Sequence, residues 1–107
     1  MVLAHDLSFD KRESHLGAIR GRLFLMDGSV LHIREYVSVE RDNDRLAYAY
    51  QYQNAAEALI LRYDNAPHYH DLPGFPHHKH IGAVTTVEPS SAPTLGIVLR
   101  QIEIMVE

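Results

Sequence analysis

Between Ile19 and Val39 the apolar side chains fall on odd positions, on both sides of Asp27-Gly28-Ser29. Ile19, Leu23 and Leu25 precede that turn signal, and Leu31, Ile33, Val37 and Val39 follow it. A period of two marks a half-buried strand, and a glycine at the turn accepts the positive φ that a tight hairpin needs. Register then follows from burial. An odd-length loop puts all of these apolar residues on one face, with Glu35 the exception. The other face carries Arg20, Arg22, Phe24, His32, Arg34 and Tyr36. An even-length loop would mix arginines with the core residues, so the odd register is expected. A three-residue loop with Gly28 in the left-handed region is a common way to reach it.

The same reading extends along the chain. Arg41-Asp42-Asn43-Asp44-Arg45 is a polar turn. Leu46 to Gln53 is a third strand, with Leu46, Tyr48, Tyr50 and Tyr52 on one side and Ala47, Ala49 and Gln51 on the other. Asn54 to Glu57 turns the chain into a fourth strand, where Leu59, Leu61 and Tyr63 alternate with Ile60, Arg62 and Asp64. Asn65 to Lys79 has three prolines, a glycine and no periodicity, which predicts an ordered surface loop. Ile81 to Val87 is a candidate fifth strand. A helix ends the chain: Ser90 or Ser91 can cap it, Pro93 suits its first turn, and Leu95, Val98, Leu99, Ile102 and Met105 keep helical spacing. Residues 2 to 16 favour neither pattern. The expectation is one α+β domain over residues 1–107, an antiparallel meander of four or five strands with a C-terminal helix packed on one face.

Composition narrows the function. At 107 residues the chain fits a single domain. A net charge of −4 argues against a broad nucleic-acid footprint, while leaving room for a local basic patch. Without cysteine there is neither a disulfide framework nor a thiolate zinc site. No apolar run reaches the ~20 residues of a membrane helix. The first ten residues, with His5, Asp6 and Asp10, do not read as a secretory signal. A cytoplasmic protein acting away from membranes is expected.

Five of the eight histidines lie between positions 68 and 80. Imidazole can both take and give a proton near neutral pH, so His68, His77, His78 and His80 are candidate acid–base groups. Asp64 can orient an imidazole, and Arg62 and Lys79 can bind phosphate or an oxyanion. For any one of these histidines, solvating a loop or satisfying a turn is the plainer role. The spacings His68-x-His70 and His78-x-His80 also suit metal ligation, since residues two apart on a strand point the same way. The usual Cys/His and helical zinc patterns are absent, and no metal or other cofactor is expected. The polar sheet face, with Arg22, Arg34, His32 and Tyr36 beside Arg20 and Arg62, can hold phosphates and stack bases. Its plainer role is a solvated face with ordinary cross-strand pairs.

The segment Leu61-Arg62-Tyr63-Asp64-Asn65-Ala66-Pro67-His68, followed by Phe75-Pro76-His77-His78-Lys79-His80, resembles the signature of the TumE family, described as the toxin half of type II toxin–antitoxin systems. The preceding hairpin and the Glu88-Pro89-Ser90 approach to the helix fit in order and spacing, so the resemblance covers most of the chain from about residue 18. It implies a toxin role and a cognate antitoxin protein as partner. It carries no catalytic mechanism or residue set.

The leading expectation is a growth-inhibiting toxin that cleaves RNA without a metal. His68 and one of His77, His78 or His80 would be the acid–base pair, Arg62 and Lys79 would grip phosphate, and Asp64 would orient an imidazole. A non-enzymatic binding module using the Arg/His/Tyr face is the alternative, and a histidine-ligated metal enzyme stands third. Self-association into a homodimer stays open.

Overall fold

The computed structural model describes residues 2–12, 15–40 and 44–106. Among the described residues, seven strands follow one another as a simple antiparallel meander: β1 (Val2–Lys11), β2 (Leu16–Leu25), β3 (Val30–Ser38), β4 (Asp44–Gln53), β5 (Leu59–Asp64), β6 (His78–Ile81) and β7 (Val87–Pro89). One helix among the described residues, α1 (Leu95–Val106), follows them. The α+β expectation holds, with more strands than the four or five expected. The extra ones come from residues 2–11, which pair as β1, and from the region of the expected fifth strand: Ile81 to Val87 is not one strand but the turn joining β6, which begins inside the histidine segment, to β7.

The β2–β3 hairpin has the odd register. Leu23 pairs with Leu31, Gly21 with Ile33, Arg22 with His32 and Arg20 with Arg34. Leu25 and Ser29 close a three-residue loop through a 2.9 Å backbone hydrogen bond, and Gly28 sits at φ 86°. That left-handed angle carries a steric penalty for any residue with a Cβ.

The apolar face packs against α1. Leu23, Leu25, Leu31 and Ile33 join Tyr48, Tyr50, Tyr52, Leu61 and Tyr63 of the sheet, and Val98 and Ile102 of the helix, in one core. Glu35 is accommodated on this face because the Tyr50 hydroxyl donates to its carboxylate at 2.6 Å. Arg45 donates in turn to the Tyr50 hydroxyl at 2.8 Å and to the Pro93 carbonyl at 2.6 Å, tying the start of the helix to the sheet.

Three expectations are corrected. Leu46 does not line the core with the tyrosines. Tyr36 pairs with Ala47 and Val37 with Arg45, so Leu46 is the extra residue of a bulge and is exposed. A bulge re-aims the residues beside it, which is how Arg45 reaches the helix side. The helix cap is Thr94, whose Oγ1 accepts the Ile97 amide at 3.2 Å, rather than Ser90 or Ser91. Met105 is exposed despite its spacing, because the core ends at Ile102. Most of the polar turn, Arg41 to Asn43, lies outside the described residues.

Candidate active site

The face opposite the helix is built by the even positions of β2 and β3. In β4 the parity changes, because Tyr48, Tyr50 and Tyr52 take the core; Ala49 and Gln51 therefore share the polar face with Arg34 and His32, their partners in the ladder. Arg62 follows opposite Gln51. The result is a groove of about 390 Å³ lined by Arg20, Arg22, Arg34, Arg62, His32 and Gln51 among others. Arg34 and Arg62 also line a neighbouring recess of about 160 Å³ that reaches Tyr36, Asp64 and Asn65.

The charges in this groove are uneven. Arg20 and Arg34 are direct cross-strand partners on one face, a like-charge arrangement that costs stability. Among the described residues neither has a carboxylate within salt-bridge distance. The hydrogen bond and charge of Arg20 pull the Tyr36 phenol below its ordinary value. Arg22 is partly neutralised by Asp6 at 3.2 Å. Arg62 donates through Nε to Asp64 at 2.9 Å and through Nη1 to Gln51 at 2.7 Å.

Asp64 is the hinge between the groove and the histidines. Register places it opposite His78, with Arg62 opposite His80, so all four side chains share one sheet face. His78 and His80 are buried, at 2% and 8% exposure, and Asp64 at 4%. His78 Nε2 lies 2.9 Å from Asp64 Oδ1, and His80 Nε2 lies 3.5 Å from Asp64 Oδ2. On the far side of each ring, Nδ1 meets a backbone carbonyl: Pro76 at 2.9 Å for His78 and Val84 at 2.8 Å for His80. The Ala66 amide donates to Asp64 Oδ1 at 3.0 Å. Tyr69, held at φ 59°, roofs the pair with its ring centre 5.0 Å from that of His78 and 6.1 Å from that of His80.

The other candidates sit apart. His68 meets Tyr69 edge-on at 6.1 Å and is exposed. His70 stacks on Phe75 at 4.5 Å. His77 lies with Tyr48 on the helix side, its Nδ1 2.8 Å from the Tyr48 hydroxyl. Lys79 pairs with the core residue Tyr63, and strand alternation points it away from His78 and His80. Of the expected histidines the fold brings only His78 and His80 to Asp64 and keeps His68 and His77 apart, because residues 78 and 79, expected as the end of a loop, belong to β6. Once they form a strand, only His78 and His80 share a face with Asp64. Gln51, which fixes Arg62, was placed on the polar side of its strand without a role. Its parity with Arg62 was the available signal.

The tyrosines bear on the binding-module alternative. Tyr48, Tyr50 and Tyr52 are buried in the core, so they supply no stacking platform on the arginine face, and that case is weaker for it. Among the described residues no helix is long and apolar enough to cross a membrane. No curated protein and no solved structure matches the chain. The family model described as Toxin TumE matches residues 1–107, the whole chain, and the protein belongs to that toxin family.

Proposed function

We propose that this toxin inhibits growth by binding RNA phosphates in the arginine groove and cleaving the chain at the Asp64 end. The observation that carries the reading is the Arg20–Arg34 pair, two like charges held opposite each other in a protein whose net charge is −4. A fold keeps such a pair at a cost, and a bound polyanion removes that cost. Arg62 extends the positive surface to Asp64, so a phosphate seated there lies beside the buried histidines.

RNA cleavage by transesterification requires a group to take the proton of the attacking 2′-hydroxyl. It requires another to return a proton to the leaving oxygen as the P–O bond breaks. Arginines stabilise the extra negative charge of the phosphorane. Arg62 and Arg34 meet the last requirement by position. Asp64, which Arg62 touches, and His78 and His80 behind it are proton-active groups at that end, and His32 lines the groove itself. An antitoxin that covers this groove would neutralise the toxin by excluding RNA.

The direct test incubates purified protein with end-labelled single-stranded RNA at low salt. Fragments should appear with wild type and fall at least tenfold with Arg34→Gln and with Asp64→Asn. RNA that binds but stays intact would move the protein to a binding module acting through the same face. No binding at low salt would remove RNA as the target.

A further inference from the structure

We infer that Asp64, His78 and His80 form a binding site for one divalent transition metal, of the zinc, cobalt, nickel or ferrous class. The inference rests on the geometry of these side chains and does not require RNA to be the substrate.

A carbonyl oxygen only accepts, so the contacts to Pro76 and Val84 fix the hydrogen of both imidazoles on Nδ1. A neutral imidazole then has only a lone pair at Nε2. Both Nε2 atoms point at the Asp64 carboxylate, which also has only lone pairs to offer. Three acceptors aimed at one place call for a cation. One proton between His78 and Asp64 Oδ1 leaves the His80 lone pair facing Oδ2, whose other partner is Arg62 Nε at 2.9 Å, with no hydrogen for His80 itself. A metal meets all three at once.

Metal–nitrogen and metal–oxygen bonds of roughly 2.0–2.2 Å separate adjacent donors by about 3.0 Å at right angles and about 3.4 Å at tetrahedral angles. The two Nε2–carboxylate separations, 2.9 Å to Oδ1 and 3.5 Å to Oδ2, match these values. The three donor atoms lie within 4.8 Å of one another, against at most about 4.4 Å for two donors on one metal, so a bound ion draws them slightly together. The outer shell is also in place. Metal-binding histidines usually donate the second ring nitrogen to a carbonyl or carboxylate, and that bond orients the ring. Here both do so.

The scaffold is rigid: His78 and His80 alternate on β6, and Asp64 is the cross-strand partner of His78 on β5. Two imidazoles and one carboxylate suit a transition metal better than magnesium or calcium, which prefer oxygen alone. Three protein ligands leave coordination positions for water or a phosphate oxygen, the arrangement of catalytic rather than structural sites. This departs from the metal-free chemistry expected from the residues, because the imidazoles given the proton transfers become ligands.

Calorimetric titration of chelator-treated protein with Zn²⁺ and Co²⁺ near pH 7.5 tests the site. One equivalent should bind per chain, and Co²⁺ should develop a visible d–d absorption. Binding should persist in the double variant His68→Ala/His70→Ala, whose histidines are exposed. It should weaken at least about 100-fold, the upper end of what loss of an outer-shell partner costs, in Asp64→Asn and in His80→Gln. Because these positions are buried, circular dichroism must show that each variant folds. If either does not, ring-nitrogen NMR of the wild type decides: the Nε2 signals of His78 and His80 should shift on adding Zn²⁺ while both Nδ1 atoms stay protonated. No stoichiometric uptake overturns the site. So does binding lost with the surface histidines, retained in the folded ligand variants, or without effect on those Nε2 signals; protonated imidazoles would then hold Asp64. Activity is not read, so failure here leaves the RNA proposal standing.

Discussion

Buried tyrosine hydroxyls are the residues through which this core meets alkaline pH. Burial pushes the Tyr48 phenol up from 10.0 to about 12, a rise that Arg45 partly offsets. Burial raises Tyr50 as well, and its hydrogen bond to Glu35 adds to the rise. The sign follows from linkage. A raised folded-state value means the folded chain keeps its proton while the unfolded chain loses it. The stability carried by the Tyr48 hydroxyl is therefore complete below about pH 10 and is lost as pH climbs toward and through about 12, and that of Tyr50 is lost at higher pH still. Melting temperature should fall between pH 9.5 and 11.5, and should fall less steeply in Tyr50→Phe. The variant should start from a lower value at pH 8, because Glu35 loses its donor, at a cost of about 1–3 kcal/mol. Parallel curves for the two proteins would show that other groups govern alkaline unfolding. Tyr50 also shows how far a single residue could be read. Its side of the strand was legible from alternation, whereas its hydroxyl's partners were not, because Glu35 and Arg45 arrive from different strands and Arg45 only through a bulge.

At the scale of elements, β1 depends on one glycine in its neighbour. Leu7 pairs with Gly21, and a Cβ built on Gly21 would stand 2.2 Å from the Asp6 carbonyl oxygen and 2.8 Å from the Leu7 Cα. Those are backbone atoms, so the strand itself must move to admit a methyl group. Gly21→Ala should cost roughly 1–3 kcal/mol through overpacking. The effect should be local, with hydrogen exchange accelerated in β1 while β3 to β5 keep their protection. Uniform loss across the sheet would mean that β1 folds as one unit with the core. Gly28→Val at the hairpin loop is a different case, since the strain there comes first from φ, and the Ala55 Cβ, 3.1 Å from where a Cβ would stand, adds to it. The same contrast explains what sequence could reveal about elements. The β2–β3 hairpin was legible because a local turn and a two-residue period agree. β1 was not, because Leu7 and Phe9 are exposed at 47% and 57% and its place is set by a gap in β2. β6 was not, because His78 and His80 are polar residues buried by one another and by Asp64, and carry no apolar signal.

The whole molecule divides into a face that holds it together and a face that is free to act. Truncating a fully buried residue such as Leu31 or Ile102 should cost about 2–5 kcal/mol. Arg34→Gln, at an exposed position on the other face, should change stability by no more than about 0.5 kcal/mol. If it changes at all, it should rise, since the repulsion from Arg20 is relieved. Induced in a bacterial host without an antitoxin, wild type should arrest growth, and Arg34→Gln should grow near the rate of an empty vector at equal soluble protein. Leu31→Ala should also relieve the arrest, but with soluble protein lost. In vitro, Arg34→Gln should bind single-stranded RNA more weakly and with a salt slope shallower by about 0.7, the share of one phosphate contact. The pairing of outcomes is what discriminates. Relief of arrest at full solubility with a reduced slope places the toxic function in the groove. Arrest undiminished by Arg34→Gln, with RNA binding also unchanged, would leave the like-charged pair without a functional ligand. Toxicity would then have to be sought on another surface of the molecule.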